Sequence, residues 1–152
     1  MPSNTSQSKI LSLIFGGHDT SAALMFVGKL VAACAQERYS LDKHSRRFPI
    51  DAINNSLEIG GIRISDLSQI AFCDDTQYLI RERYLRPALE DNDRLNFLVS
   101  DIEQIRQTHL IEDRIRQETG FTGEVRQYRH HLCHLASAYY PSGFDEALLV
   151  SY

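Results

Sequence analysis

The stretch "HHLCHLASAYY", residues 130–140, places three histidines within five positions. On a helix, His130 and His134 stand at i and i+4 and share one face, with Cβ atoms about 6 Å apart. Two imidazoles so placed can reach one divalent metal, as the histidine pair of the HExxH helix does. His131 is turned from that face by about 100° and is no third ligand. Cys133 also points away from the pair. Two histidines leave such a site incomplete, and a carboxylate or water from another segment must close it. The plain alternative is a polar helix start with solvated histidines, and the H-x3-H spacing alone does not choose between them.

A second stretch with chemical potential is "GGHDTSAAL", residues 16–24. The paired glycines allow a sharp turn after an apolar run. His18 and Asp19 then stand at the C-terminal end of a strand, where open sheets bind ligands. His18 can serve there as a general acid or base. A polar turn closed by a local hydrogen bond explains the same residues. A third stretch, "QERYSLDKHSRRFP" (36–49), gathers Glu37, Arg38, Lys43, His44, Arg46 and Arg47. It reads as a solvated loop, or as one that meets an anionic small molecule.

The elements around these stretches follow from periodicity. "KILSLIF" (9–15) is a short apolar run that ends on Gly16-Gly17 and reads as a buried strand. "TSAALMFV" (20–27) and "GKLVAACAQ" (28–36) read as a hairpin turning at Gly28-Lys29. The first 37 residues thus predict an antiparallel three-strand meander. Pro49 opens a helix through "IDAINNSLEIGG", and "LSQIAFC" (67–73) is a further strand. Residues 78–118 carry apolar positions at helical spacing among many charges. They predict one or two long exposed amphipathic helices, interrupted at Pro87 and "EDNDR". "EVRQY" (124–128) reads as a strand, residues 130–140 as a helix and "EALLVSY" (146–152) as a last strand. The resulting order, β-β-β-α-β-α-β-α-β, predicts an α/β fold with a mixed sheet and helices on its faces.

The chain has 152 residues, 43% hydrophobic and 24% charged, with a net charge of −4. That is an ordinary globular composition with room for one domain. No broad basic face is expected, which argues against nucleic acid as a partner. Cys34, Cys73 and Cys133 are odd in number and widely spaced, so no disulfide framework is expected. Cys34 and Cys73 read as small core residues, and a reducing cytoplasm suits them. Residues 1–8 read as a disordered tail without the apolar stretch of a signal peptide. No run approaches the roughly 20 apolar residues of a membrane helix.

Taken together, "GGHDTSAALMFVGKLVAACAQERYSLDKHSRRFPIDAI" and "HHLCHLASAYYPSGFDEALLVSY" resemble the NodU-like carbamoyltransferases, a family of nodulation-factor and antibiotic-tailoring enzymes. The resemblance runs from Lys9 to Tyr152. It implies a ribonuclease-H-like half of an actin/Hsp70-type nucleotide-binding fold, related to the tRNA threonylcarbamoylation proteins. The first such subdomain would cover 9–140, with a second beginning at 141–152. Family members transfer a carbamoyl group from carbamoyl phosphate, through an ATP-derived carbamoyl-adenylate, to an acceptor hydroxyl. The resemblance implies metal ligands at His130 and His134, with iron the expected metal. It implies a catalytic His18 at the transfer site, and Lys43 and Asp19 as substrate-binding positions. Gln36 stands where relatives carry Glu, and Leu41 and Asp42 stand where they are basic. Cys133 and Leu135 replace usual alanines. The expectation is an N-terminal fragment, inactive without its further domains, whose apolar last strand favours self-association. The alternatives are a non-catalytic binding or scaffold module of this fold, or a tRNA-threonylcarbamoylation-type relative.

Overall fold

The computed structural model of the chain describes residues 8–151. The expected tail therefore lies outside the described residues, apart from Ser8. Two compact units form, one from the chain up to Phe72 together with Leu110–Arg126, the other from Cys73–His109 with Gln127 onward.

The first unit is built on a five-stranded mixed sheet in the order β3-β2-β1-β4-β5. Strands β1 (Lys9–Ile14), β2 (Ser21–Phe26) and β3 (Lys29–Ala35) form the expected antiparallel meander. Strand β4 (Gln69–Phe72) runs parallel to β1, and β5 (Glu124–Gln127) takes the far edge. Alternation along the strands puts one residue set on one face. Leu11 faces Leu24 on one side and Ile70 on the other, and Leu13 faces Ala22 and Phe72. Ala32 and Cys34 extend that face along β3. All are buried, so Cys34 is a core residue as expected.

Helix α2 (Ile50–Gly60) covers β2 and β3 with Ala52, Ile53 and Leu57. Pro49 stands at its N-cap, and Gly61 ends it at φ 62°, donating to Leu57 and Glu58 carbonyls. Helix α7 (Ile111–Thr119) adds Ile111 and Ile115 to the same core, and Phe15 packs its ring on Phe48 and Phe72 at 5.0 and 5.1 Å.

The hairpin turn lies one residue earlier than expected. Val27 and Gly28 occupy it, both at positive φ (50° and 76°), and Lys29 already belongs to β3. Positive φ at both central residues is the type I′ signature, which suits the twist of a hairpin. Val27 is β-branched and poorly suited to that conformation. A bulge follows, because Leu24 pairs with Ala32 but Met25 with Leu30, leaving Val31 as the extra residue.

The end of β3 is fastened by one buried side chain. Gln36 donates through Nε2 to Asp51 Oδ2 at 2.6 Å, and its Oε1 accepts from the Ala52 amide at 3.1 Å. Its amide donates to Thr20 O, and its carbonyl accepts from Tyr39 and Ser40 in the short helix α1 (Glu37–Ser40). That helical turn begins within a stretch expected to be a loop. The polar residues Tyr39 and Ser40 satisfy their amides on the Gln36 carbonyl, which hydropathy does not reveal.

The second unit corrects two expectations. The long helices of 78–118 are broken into short pieces. Helix α3 (Thr76–Ile80) passes through a π-helical segment (Arg81–Leu85) into α4 (Arg86–Glu90). Pro87 sits inside that continuous run, where it was expected to interrupt it. The wider i+5 register ends just before it, as Arg86 donates to the Arg81 carbonyl. Arg86 braces the run through Glu82 and Glu90 at 3.2 and 3.1 Å. The break comes at "EDNDR", where Asp91 turns extended and accepts from the Asp93 amide. Then come α5 (Leu95–Ser100) and α6 (Ile102–His109). Helix α8 spans His130–Tyr139. The expected strand at 146–152 does not form: residues 143–151 have no regular hydrogen-bonded structure. Leu148 and Val150 of that stretch are exposed, and among the described residues it joins no ladder.

Two predictions follow from the first unit. Val27→Asn keeps the amide that donates to Ser8 O and relieves the positive φ, so the urea midpoint should rise by the equivalent of about 1 kcal/mol at unchanged slope. Gln36→Glu places a second carboxylate against Asp51, which should cost about 1–2 kcal/mol at neutral pH. The pKa of that new carboxyl is raised in the folded state. The deficit should therefore be full above its folded pKa and shrink as pH falls, vanishing below about 4.3, where both states hold the proton. Chemical denaturation across pH 4–8 reads this out.

Candidate functional site

The two chemical stretches lie in different units, and each has its own geometry. In the second unit, α8 begins just after β5. Its first residue, His130, points Nδ1 at the Cys73 carbonyl at 3.1 Å. A carbonyl only accepts, so Nδ1 donates and Nε2 is the acceptor nitrogen of the ring, facing His134. One turn later His134 brings its Nε2 to 3.0 Å from His130 Nε2, with the rings 4.4 Å apart and nearly perpendicular. The two nitrogens thus converge. Metal–nitrogen bonds are about 2.1 Å long, so one divalent ion could accept both donors without moving the backbone. The orienting carbonyl is the partner that metal-bound histidines usually have on their second nitrogen. The donor set therefore fits a metal. Among the described residues, no third His, Cys, Asp or Glu completes it. His131 turns elsewhere, to Ser151 Oγ at 2.7 Å.

The loop after β4 receives this helix. Asp75 caps α3 by accepting from the Tyr78 amide, and Thr76 donates twice to Gln127 Oε1 at 2.9 and 2.8 Å. Arg129 lays its guanidinium 4.1 Å from the Tyr78 ring centre. Burial holds the Asp74 carboxyl above its ordinary range, and the nearby His130 works in the opposite direction. Burial, and then the facing Cys73 thiol, push the Cys133 thiol up to about 11.

In the first unit, His18 is exposed in the loop between β1 and β2. Asp19 joins His44 Nδ1 at 3.1 Å, with both side chains mostly exposed. Lys43, beside His44, projects from the same loop and is also exposed. Asp19 further lines a cavity of about 230 Å³ with Thr20, Ser21, Ala35, Glu37 and Ser45. Thr20 is 4% exposed, and its Oγ1 is the one buried side-chain oxygen or nitrogen among the described residues with no hydrogen-bond partner.

The residue pattern had pointed to His18, Asp19, Lys43, His130 and His134. The structure brings Asp19 beside His44 on the Lys43 loop and brings His130 against His134. It adds Cys73, Thr20 and Ser45, which no spacing rule marks. Cys73 had read as a core residue and is half-buried instead, with its carbonyl serving His130.

A model of the family described as Carbamoyltransferase N-terminus matches residues 9–151. The chain belongs to the carbamoyltransferase family. The nodulation protein NolNO of Sinorhizobium fredii is 30% identical over 140 residues, covering 88% of this chain and 19% of that protein. The Synechocystis protein sll1178 is 28% identical over 144 residues, covering 88% of this chain and 23% of its own length. A 19.2 kDa Rhizobium etli protein from the syrM 5′ region is 33% identical over 73 residues, covering 48% of this chain and 39% of its own length. The chain thus spans about a fifth to a quarter of the length of the first two relatives. Among its described residues no helix is long and apolar enough to cross a membrane.

The orphan hydroxyl gives a prediction. Removing a buried unsatisfied hydroxyl while keeping the shape of the side chain relieves a desolvation cost. Thr20→Val should therefore stabilise the chain by about 1 kcal/mol, seen as a higher thermal midpoint.

Proposed function

We propose that this chain is the metal-holding N-terminal part of an O-carbamoyltransferase. In the reaction, water releases phosphate from carbamoyl phosphate, the carbamate oxygen displaces pyrophosphate from ATP to give a carbamoyl-adenylate, and the carbamoyl group then passes to an acceptor hydroxyl. The observation that supports this reading best is the convergence of His130 and His134 Nε2 at 3.0 Å, with His130 fixed by the Cys73 carbonyl, in a chain of this family.

His130 and His134 would hold the metal, with iron the first choice from the resemblance. When bound, it would supply positive charge against the phosphate of the leaving nucleotide. The proton chemistry belongs to His18. Its imidazole takes the proton of the acceptor hydroxyl as that oxygen attacks the carbamoyl carbon, and AMP leaves with the electrons of the broken C–O bond. Lys43 meets the anionic part of the adenylate. Asp19, paired with His44, sets the position of the turn that carries His18 and accepts a hydroxyl of the acceptor. Activity requires the further length that the relatives possess. The ribonuclease-H-like assignment rests on the strand order β3-β2-β1-β4-β5 with β1 and β4 parallel, which is compatible with that half-fold.

Metal analysis tests the reading. Protein purified after growth in iron-supplemented medium should carry metal. His130→Ala and His134→Ala should each lower its content at least tenfold, while His131→Ala leaves it nearly unchanged. Equal metal content in all four proteins would remove the ligand assignment.

A further inference from the structure

Helices α5 and α6 follow one helical trace. Across their junction the Asp101 amide donates to the Phe97 carbonyl at 3.0 Å and the Ile105 amide to the Asp101 carbonyl at 2.9 Å. One side of that trace is used inside the second unit, where α5 packs on α4 and the π-helical segment, and α6 on α3. Leu98 and Ile105 are half-buried there and Thr108 is buried. The adjoining side carries Leu95, Val99, Ile102 and Arg106, at successive intervals of 4, 3 and 4 residues. Its three apolar side chains remain 47, 70 and 58% exposed. Alternating intervals of four and three are those of a coiled-coil seam, with Leu95 and Ile102 at d and Val99 and Arg106 at a. Scattered exposed apolar residues are ordinary, but a stripe of them in seam register is a surface shaped for another helix.

Charge decides how such a helix can lie. A parallel copy of the same segment would set Arg106 against its own counterpart. An antiparallel copy with Val99 opposite Ile102 sets Leu95 opposite Arg106. The Arg106 stem then lies along Leu95 of the other copy. Its guanidinium reaches toward Asp91, one turn before Leu95, whose side chain is exposed. Asn96 falls beside Glu103 of the other copy, an amide donor beside a carboxylate. Leu98 falls beside Ile105 of the other copy and widens the apolar strip. The seam is therefore its own complement about a two-fold axis. We infer that α5 and α6 form a self-association surface, and that its occupant is the same pair of helices from a second copy of this chain, packed antiparallel. The contact is about three turns long and falls below the roughly 800 Å² per partner of a standard interface, so the dimer is weak and reversible.

The inference is independent of the carbamoyl-transfer reading, and its test needs neither metal nor activity. Sedimentation equilibrium of the chain between about 5 and 500 μM should fit a monomer–dimer equilibrium without larger species. Val99→Glu puts a charge at the centre of the seam and should weaken association at least tenfold. Arg106→Glu brings a carboxylate to Asp91 of the other copy and should weaken it about fivefold, and adding Asp91→Arg should restore most of the loss. Leu148→Glu, at an exposed apolar residue outside the seam, should change nothing. All the substituted side chains are exposed, so circular dichroism should match the wild type throughout. A chain that stays monomeric at every concentration would overturn the inference, and so would a dimer that Val99→Glu leaves intact. A dimer indifferent to Arg106→Glu would overturn the antiparallel arrangement. A monomer that sediments with anionic lipid vesicles would also overturn it, by making the seam a membrane surface.

Discussion

A histidine ring held through Nδ1 by a backbone carbonyl has its tautomer chosen for it. The Cys73 carbonyl does this to His130. It leaves Nε2 as the lone-pair nitrogen and turns the ring toward His134. Neighbouring contacts hold the loop that follows residue 73. Gln127 grips the start of α3 through both polar atoms of Thr76, and Asp75 closes the turn by capping Tyr78. The loop from 73 to 76 is thereby fixed where it enters α3. A metal site needs such support, because a donor pair that wanders by an ångström binds far more weakly.

Much of the first unit was legible in the sequence because burial writes itself as period. Leu11 and Leu13, Ala22 and Leu24, Ala32 and Cys34 alternate with less buried neighbours, and one face of a sheet results. Pro49 and the Gly60-Gly61 pair bracketed α2 within a residue or so. The turn was misplaced because Val27 adopts a positive φ, a choice that composition argues against and only the strand register enforces. Residues 78–118 were legible as helical but not as pieces. The π-helical segment that leads into Pro87 is a matter of hydrogen-bond register, which hydropathy does not encode. The last strand failed for a different reason. "EALLVSY" has strand composition, but a strand needs a partner, and among the described residues none pairs with 143–151.

The candidate site divides along the same line. Local spacing was enough to bring His130 and His134 together, because i and i+4 on a helix is a contact the chain makes with itself. Contacts between distant segments were silent. The Cys73 carbonyl at His130 and the unpartnered Thr20 hydroxyl each depend on which segment ends beside which turn. Gln36 is the instructive middle case. In the sequence it stands out only as a departure from a glutamate. Its structural meaning is neutrality: an amide can donate to Asp51 and accept from Ala52 at once, which a carboxylate in the same place cannot do.

Helix α8 has no buried residue, and at ten residues it is too short to be stable by helix propensity alone. Its order therefore rests on polar anchors. His130 is held at one end, Tyr139 donates to the Asp145 carbonyl at the other, and His131 meets Ser151. Exposed bonds of this kind contribute on the order of 1 kcal/mol each. A helix so lightly held is well placed to couple its order to ligation. Any metal that binds the ordered histidine pair and not the frayed one stabilises the ordered state by RT ln(1 + [L]/Kd), about 2.7 kcal/mol at a hundredfold excess over Kd. That is comparable to the polar anchors together. A metal on the histidine pair would thus hold in place the same turn that brings the two rings together.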